Sequence, residues 1–146
     1  MNVRNALFVG IGALVVSAAS AEPAADAQCP VLPPSTGLSW SYTEGPDFGV
    51  CYARQRGKPA AGLIGVYLGF APSFSPNGAT FVQDGRMDGN SVHWYRKAAE
   101  GSGFKVGLET LHQLKSGTSH VWILANDKPR MDELRDVAER LSFKKN

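Results

Sequence analysis

The chain has 146 residues, and its 15 basic and 13 acidic side chains leave it a formal net charge of +2. Nucleic-acid-binding proteins carry dense positive charge for contacts with phosphates, and a chain this close to neutral lacks it. No long charge run suggests binding to a membrane surface either. We therefore expect neither nucleic acid nor lipid headgroups as partners.

The first 21 residues have the three parts of a secretory signal peptide. Arg4 supplies the positive charge, residues 6–16 are uncharged, and Ala19 and Ala21 occupy the small positions before a cleavage site. The alternative is a permanent membrane helix, but the uncharged run is far shorter than the ~20 residues that such a helix needs. We predict cleavage after Ala21, a periplasmic or secreted location, and no membrane span in the mature protein.

The mature chain, residues 22–146, is long enough for one domain with a core and too short for two. An even cysteine count in an oxidising compartment predicts a disulfide between Cys29 and Cys51. The alternative is that Cys51 is a nucleophile. Residues 22–37 are rich in Ala and Pro and are predicted to form an extended arm, which the disulfide would attach to the first hairpin. Residues 38–146 are predicted to form a single α+β domain.

Period-two alternation and apolar runs predict strands along most of this domain. The predicted strand segments are 38–42, 48–52, 63–70, 80–83, 91–98, 104–114 and 118–125. The run 63–70 is apolar almost throughout, which is typical of a central strand covered on both faces. Asp84-Gly85 and Asp88-Gly89 are both tight-turn signals. Residues 104–114 also have apolar spacings that fit a helix, so this segment has two interpretations.

A helix is predicted to follow residue 128, because Pro129 suits the first helical position and acidic residues follow in the first turn. Its apolar stripe consists of Met131, Leu134, Val137, Ala138 and Leu141. The expected fold class is α+β: six to seven mostly antiparallel strands with one C-terminal amphipathic helix packed on one face. This architecture leaves room for a cleft between the sheet and the loop 70–79.

The histidines are the first candidates for catalysis or metal binding. His112 and His120 are symmetric about Ser116, so a three-residue hairpin loop would place them opposite one another, ~5 Å apart. His93 would then complete a three-histidine site, whereas a two-residue loop would move His112 and His120 to different faces. The spacing has no zinc signature, so we expect no metal or cofactor. Glu109, near His112 in the sequence, is a candidate base, and the weak catalytic candidates are His93, Glu109, His112 and His120.

Aromatic residues near basic ones indicate a binding surface instead. Exposed aromatics beside basic residues are typical of protein-binding hot spots, and Tyr95 between His93 and Arg96 fits that description. The alternative is that the aromatics form a second core layer beneath the C-terminal helix. The loop 70–79 contains two prolines and Phe70 and Phe74, and its rigidity would favour binding. Alternatively, Phe74 packs beneath its own loop. The predicted binding residues are Phe70, Phe74, His93, Tyr95 and Arg96.

The leading hypothesis is an exported, non-enzymatic binding protein, for example an inhibitor or immunity-type partner of another exported protein. Its predicted partner is a protein in the periplasm or outside the cell. The alternative is a small exported hydrolase or metal-dependent enzyme that uses His and Glu residues of the sheet. Convergence of the histidines and Glu109 in a concave pocket would favour the enzyme, and a contiguous exposed aromatic patch would favour the binding protein.

Overall fold

The computed structural model describes residues 25–143. The predicted signal peptide and its cleavage site lie outside these residues. No helix between residues 25 and 143 combines the length and the apolar character that a membrane crossing requires.

Seven strands in the described part of the chain form one antiparallel sheet. They are β1 (Leu38–Glu44), β2 (Gly49–Gln55), β3 (Leu63–Gly69), β4 (Phe81–Met87), β5 (Asn90–Arg96), β6 (Val106–Leu114) and β7 (Gly117–Ala125). The helices are α1 (Ala25–Gln28) and α2 (Lys128–Glu139), and a 3-10 turn covers Pro59–Ala61. The predicted α+β fold with a C-terminal helix on one face of the sheet is confirmed.

The strand order is β1-β2-β3-β7-β6-β5-β4, so one connection does not join neighbours. After β3 the chain continues through residues 70–80 to β4 at the far edge of the sheet. It then returns strand by strand until β7 pairs with β3. The segment 70–80 must therefore cross one face of the sheet, which we call the loop face.

Helix α2 packs on the opposite face, which we call the helix face. The side chain of Asp127 caps the helix by accepting a hydrogen bond from the backbone N–H of Arg130 at 2.9 Å. Leu134 and Ala138 of α2 are buried against the sheet. The main core on this face includes Trp40, Ile64, Val66, Trp94, Leu108, Val121, Ile123 and Leu141. A smaller apolar cluster on the loop face contains Leu63, Ala99 and Leu124.

The residues before β1 are attached to the sheet by several contacts. The predicted disulfide is confirmed: Cys29 is bonded to Cys51 of β2, with 5.8 Å between their Cα atoms. The indole N–H of Trp40 donates to the carbonyl of Pro30 at 2.7 Å. An isolated bridge pairs Val31 with Ser142, just after the C-terminal helix. The start and the end of the described chain therefore lie side by side.

The structure corrects the predicted turn at Asp84-Gly85 and decides between the two interpretations of residues 104–114. The Asp84-Gly85 turn prediction is wrong, because β4 continues through both residues and Gly85 pairs with Val92. Glycine is needed there for close approach: a Cβ at this position would lie 2.7 Å from Nε1 of Trp94, which donates to Glu139 of α2. The ambiguous segment 104–114 contains the strand β6, because paired strands on both sides supply its backbone partners.

Candidate functional site

The three histidines do not meet. The β6–β7 loop has two residues, because Leu114 pairs with Gly117. In this register His112 lies opposite Ser119 and His120 opposite Leu111, so the two histidines point to opposite faces of the sheet. The register therefore does not bring the three histidines into one site. Within residues 25–143 no three side chains of the His, Cys, Asp and Glu types group as metal ligands.

Glu109 and His120 do come together, on the loop face. Nε2 of His120 lies 3.0 Å from Oε2 of Glu109, and Nζ of Lys97 lies 3.3 Å from the same oxygen. Burial lowers the pKa of His120; the neighbouring Glu109 opposes this effect and Lys97 adds to it. The imidazole is therefore neutral at pH 7 and has one nitrogen held by a carboxylate, which is how an enzyme orients a general base.

The segment 70–80 covers this pair. The ring of Phe74 stacks on the imidazole of His120 at 5.3 Å between centroids, and Trp122 packs against the same imidazole at 5.0 Å. Phe74 also contacts the ring of Tyr95 at 5.7 Å. Phe74 thus packs beneath its own loop, on the sheet. An imidazole enclosed in this way has the electronic arrangement of a base but is not open to a substrate.

The predicted binding residues come together only in part. His93 and Tyr95 lie on the loop face with Phe74, and Phe81 contacts the rings of both His93 and Tyr95. His93 is exposed and lies 2.6 Å from the carboxylate of Asp84. Arg96 follows Tyr95 directly in β5, so its side chain points to the other face. The fifth predicted residue, Phe70, is 81% exposed and belongs to a different site.

That site is a pocket at the end of the sheet where turns from both halves of the fold meet. We call it the His112 pocket, and its volume is about 770 Å³. This is within the usual size range of small-molecule sites. Its wall includes Phe70, Asp88, Asn90, His112, Leu114 and Phe143.

His112 lines this pocket, although its side chain is only 1% exposed. Neither ring nitrogen has a hydrogen-bond partner among the described residues. The buried hydroxyl of Ser119, opposite His112 on β7, also has none among them. The nearest acidic oxygen, Oδ2 of Asp88, is 3.8 Å from Nε2. Buried polar atoms are normally paired, because leaving one unpaired costs about 1–3 kcal/mol. His112 and Ser119 are therefore unusual among the buried polar residues of the described chain.

The surroundings of His112 are well defined. Phe143 packs on its ring at 4.8 Å between centroids, and the backbone N–H of Phe143 donates to Asp88 at 2.9 Å. Asp88 and Gly89 have positive φ values of 48° and 77° and form the β4–β5 turn, as predicted for this Asp-Gly pair. Burial lowers the pKa of His112, which the nearby Asp88 carboxylate partly offsets. At neutral pH the ring is uncharged, with one donor and one acceptor.

His112 and Phe70 were both predicted site residues, but His112 was a catalytic candidate and Phe70 a binding candidate. It missed Asp88, Leu114 and Phe143 as site residues, because each had a sufficient local explanation as a turn, a hairpin end or a tail. Only the pairing of distant strands brings them to one pocket. No protein-family model, curated protein or solved structure matches this chain.

Proposed function

We propose that this chain is an exported, non-enzymatic binding protein that holds its ligand in the His112 pocket. The observation that carries the proposal is the buried imidazole of His112, which lines a pocket of about 770 Å³ with both ring nitrogens unpaired among the described residues. Both nitrogens are buried, so a ligand has to displace part of the pocket wall to pair with them. Such pairing would offset the cost of leaving them unpaired. The Cys29–Cys51 disulfide supports a location outside the cytoplasm.

A hydrolase is the second candidate function, and one observation favours it. Ser119, His112 and Asp88 are neighbours, and their side chains are those of a serine hydrolase triad. Ser119 is 0% exposed, however, and no hydrogen bond joins its hydroxyl to His112 among the contacts of residues 25–143. A nucleophile closed off in this way supports binding over catalysis. Labelling of Ser119 by a fluorophosphonate, and loss of that labelling in Ser119→Ala, would reverse the preference.

The test of the binding function uses a pair of variants on β5. Asn90 lines the pocket and Ser91 is its exposed neighbour, whose side chain points to the opposite face. A diverse fragment library is screened by NMR, with the imidazole signals of His112 as reporter and those of His120, on the other face, as internal reference. We expect several fragments to shift His112 alone. Asn90→Trp should weaken these shifts, because the larger side chain occupies part of the pocket, and Ser91→Trp should preserve them.

The proposal fails if no fragment shifts the His112 signals, or if Asn90→Trp leaves the shifts unchanged. The sequence predicts a protein partner outside the cytoplasm, and a side chain of that partner would then occupy the pocket. Capture from a periplasmic extract should in that case be lost with Asn90→Trp and kept with Ser91→Trp.

A further inference from the structure

The polar part of the pocket wall indicates a ligand with many hydrogen-bonding groups and no net charge. Besides His112, the polar side chains that line the pocket are Gln28, Asp47, Asp88, Asn90, Gln113, Lys115, Ser116, Thr118 and Ser142. Two carboxylates and one ammonium group do not form a site for a phosphate or another strong anion, which would need a surplus of positive charge. A purely apolar ligand would strip water from these groups without replacing its hydrogen bonds.

The apolar part of the wall is concentrated on a few side chains. Phe70 at the mouth is the most exposed of the large hydrophobic side chains in residues 25–143, at 81%. Leu68, Leu114 and Phe143 line the pocket as well. An exposed aromatic ring next to paired donors and acceptors suits a molecule that has an apolar face and a polar rim. A pyranose ring has this form, with C–H bonds on its faces and hydroxyls at its edge.

The inner end of the pocket matches the same chemistry. Neutral His112 offers one donor and one acceptor, and the carboxylate of Asp88 accepts. A hydroxyl both donates and accepts, so sugar hydroxyls can pair with Asp88 and Asn90, which are exposed and line the pocket. The ring nitrogens of His112 lie behind them and are buried. The separation of 3.8 Å between Nε2 of His112 and Oδ2 of Asp88 is too long for a direct hydrogen bond between them.

We propose that the ligand of the His112 pocket is a neutral saccharide, packed through one sugar face on Phe70 with hydroxyls directed to Asp88 and Asn90. This inference rests on the proposed binding function and names its ligand class. The pocket is open at its mouth and accommodates the end of a longer glycan as well as a free sugar. An exported protein meets both kinds of ligand in the envelope.

The test measures binding of three saccharides: the N-acetylglucosamine trimer, maltotriose and cellotriose. Each is titrated into the protein while the imidazole signals of His112 and His120 are followed by NMR. We expect at least one to give saturable shifts of His112 without shifts of His120. Phe70→Ala should weaken that binding about tenfold, because an aromatic packing surface is lost. Phe81→Ala is the matched control, since Phe81 is 53% exposed and lies outside the pocket.

The inference is overturned if none of the three saccharides shifts His112, or if Phe70→Ala and Phe81→Ala bind the sugar equally well. Its failure is distinguishable from failure of the binding function. One possible result is that fragments shift His112, that Asn90→Trp weakens these shifts, and that none of the three saccharides binds. This result would support the pocket as a binding site and contradict a saccharide ligand. Loss of both responses would reject both proposals.

Discussion

Removal of the Phe74 ring should destabilise the protein although Phe74 lies in a long connection. The ring is partly buried and contacts the imidazole of His120 and the ring of Tyr95. Loss of a fully buried phenylalanine ring costs about 3–5 kcal/mol, and an aromatic pair contributes about 0.5–1.5 kcal/mol beyond its buried area. Because part of the ring faces solvent, we expect Phe74→Ala to lower the free energy of unfolding by about 2 kcal/mol.

The assay is urea unfolding at pH 7.5, combined with an NMR titration of His120. Phe81→Ala serves as control: its ring contacts the same Tyr95 but is 53% exposed, so we expect a loss below about 1 kcal/mol. Burial lowers the pKa of His120, and Phe74 supplies part of that burial. In Phe74→Ala the pKa of His120 should therefore rise towards its ordinary value, while Phe81→Ala should leave it unchanged.

Two results together would refute this reasoning. One is a free energy of unfolding for Phe74→Ala within about 0.5 kcal/mol of the parent protein. The other is an unaltered pKa for His120. These results would mean that the ring of Phe74 lies in solvent. The interpretation of Phe74 as an exposed binding residue would then be favoured.

The remaining predictions concern the disulfide, pH and export. Thiol titration of the denatured, oxidised protein should find no free cysteine, and two free thiols per chain would contradict the bond. Changing both Cys29 and Cys51 to serine should lower the free energy of unfolding in urea by about 3 kcal/mol. Burial lowers the pKa values of His112 and His120, so the unfolded chain binds more protons than the folded one. The free energy of unfolding should therefore fall as pH decreases below 6.5. An unfolding free energy that stays constant between pH 7.5 and 5.5 would contradict the burial of these histidines. Intact-mass measurement of the exported protein should show a chain cut after Ala21, and a species that still carries the first 21 residues would reject the signal peptide.

Local patterns were sufficient to predict most of the fold. Alternation placed the strands, and Pro129 with the apolar stripe after it placed α2, because the side chains that define each pattern are neighbours in the sequence. The disulfide followed from the cysteine count and the expected compartment. The strand interpretation of residues 104–114 needed the flanking strands, since only these supply the backbone partners of β6.

The candidate site depended on facts that local patterns do not contain. A difference of one residue in the β6–β7 loop decides whether His112 and His120 share a face, and the sequence permits both lengths. The pocket also requires Asp88 and Phe143 beside His112, and these three residues belong to a turn, a tail and a strand that meet only in the finished fold. Similarly, the crossing of residues 70–80 over the sheet follows from the strand order, which alternation does not specify.

The strand order also has a consequence for how the chain reaches its native state. Strands β1 to β3 form one set of consecutive hairpins and β4 to β7 another, and the two sets join only where β3 pairs with β7. That pairing brings Leu63 to Leu124 and Gly69 to Thr118, so it closes the longest chain loop in the sheet and carries the largest loop-closure entropy. Until it forms, β3 and β7 each have one unpaired edge, and unpaired apolar edges favour aggregation. The Cys29–Cys51 bond joins β2 to the residues before β1, so both cysteines precede the second set in the chain and can pair before that set is completed.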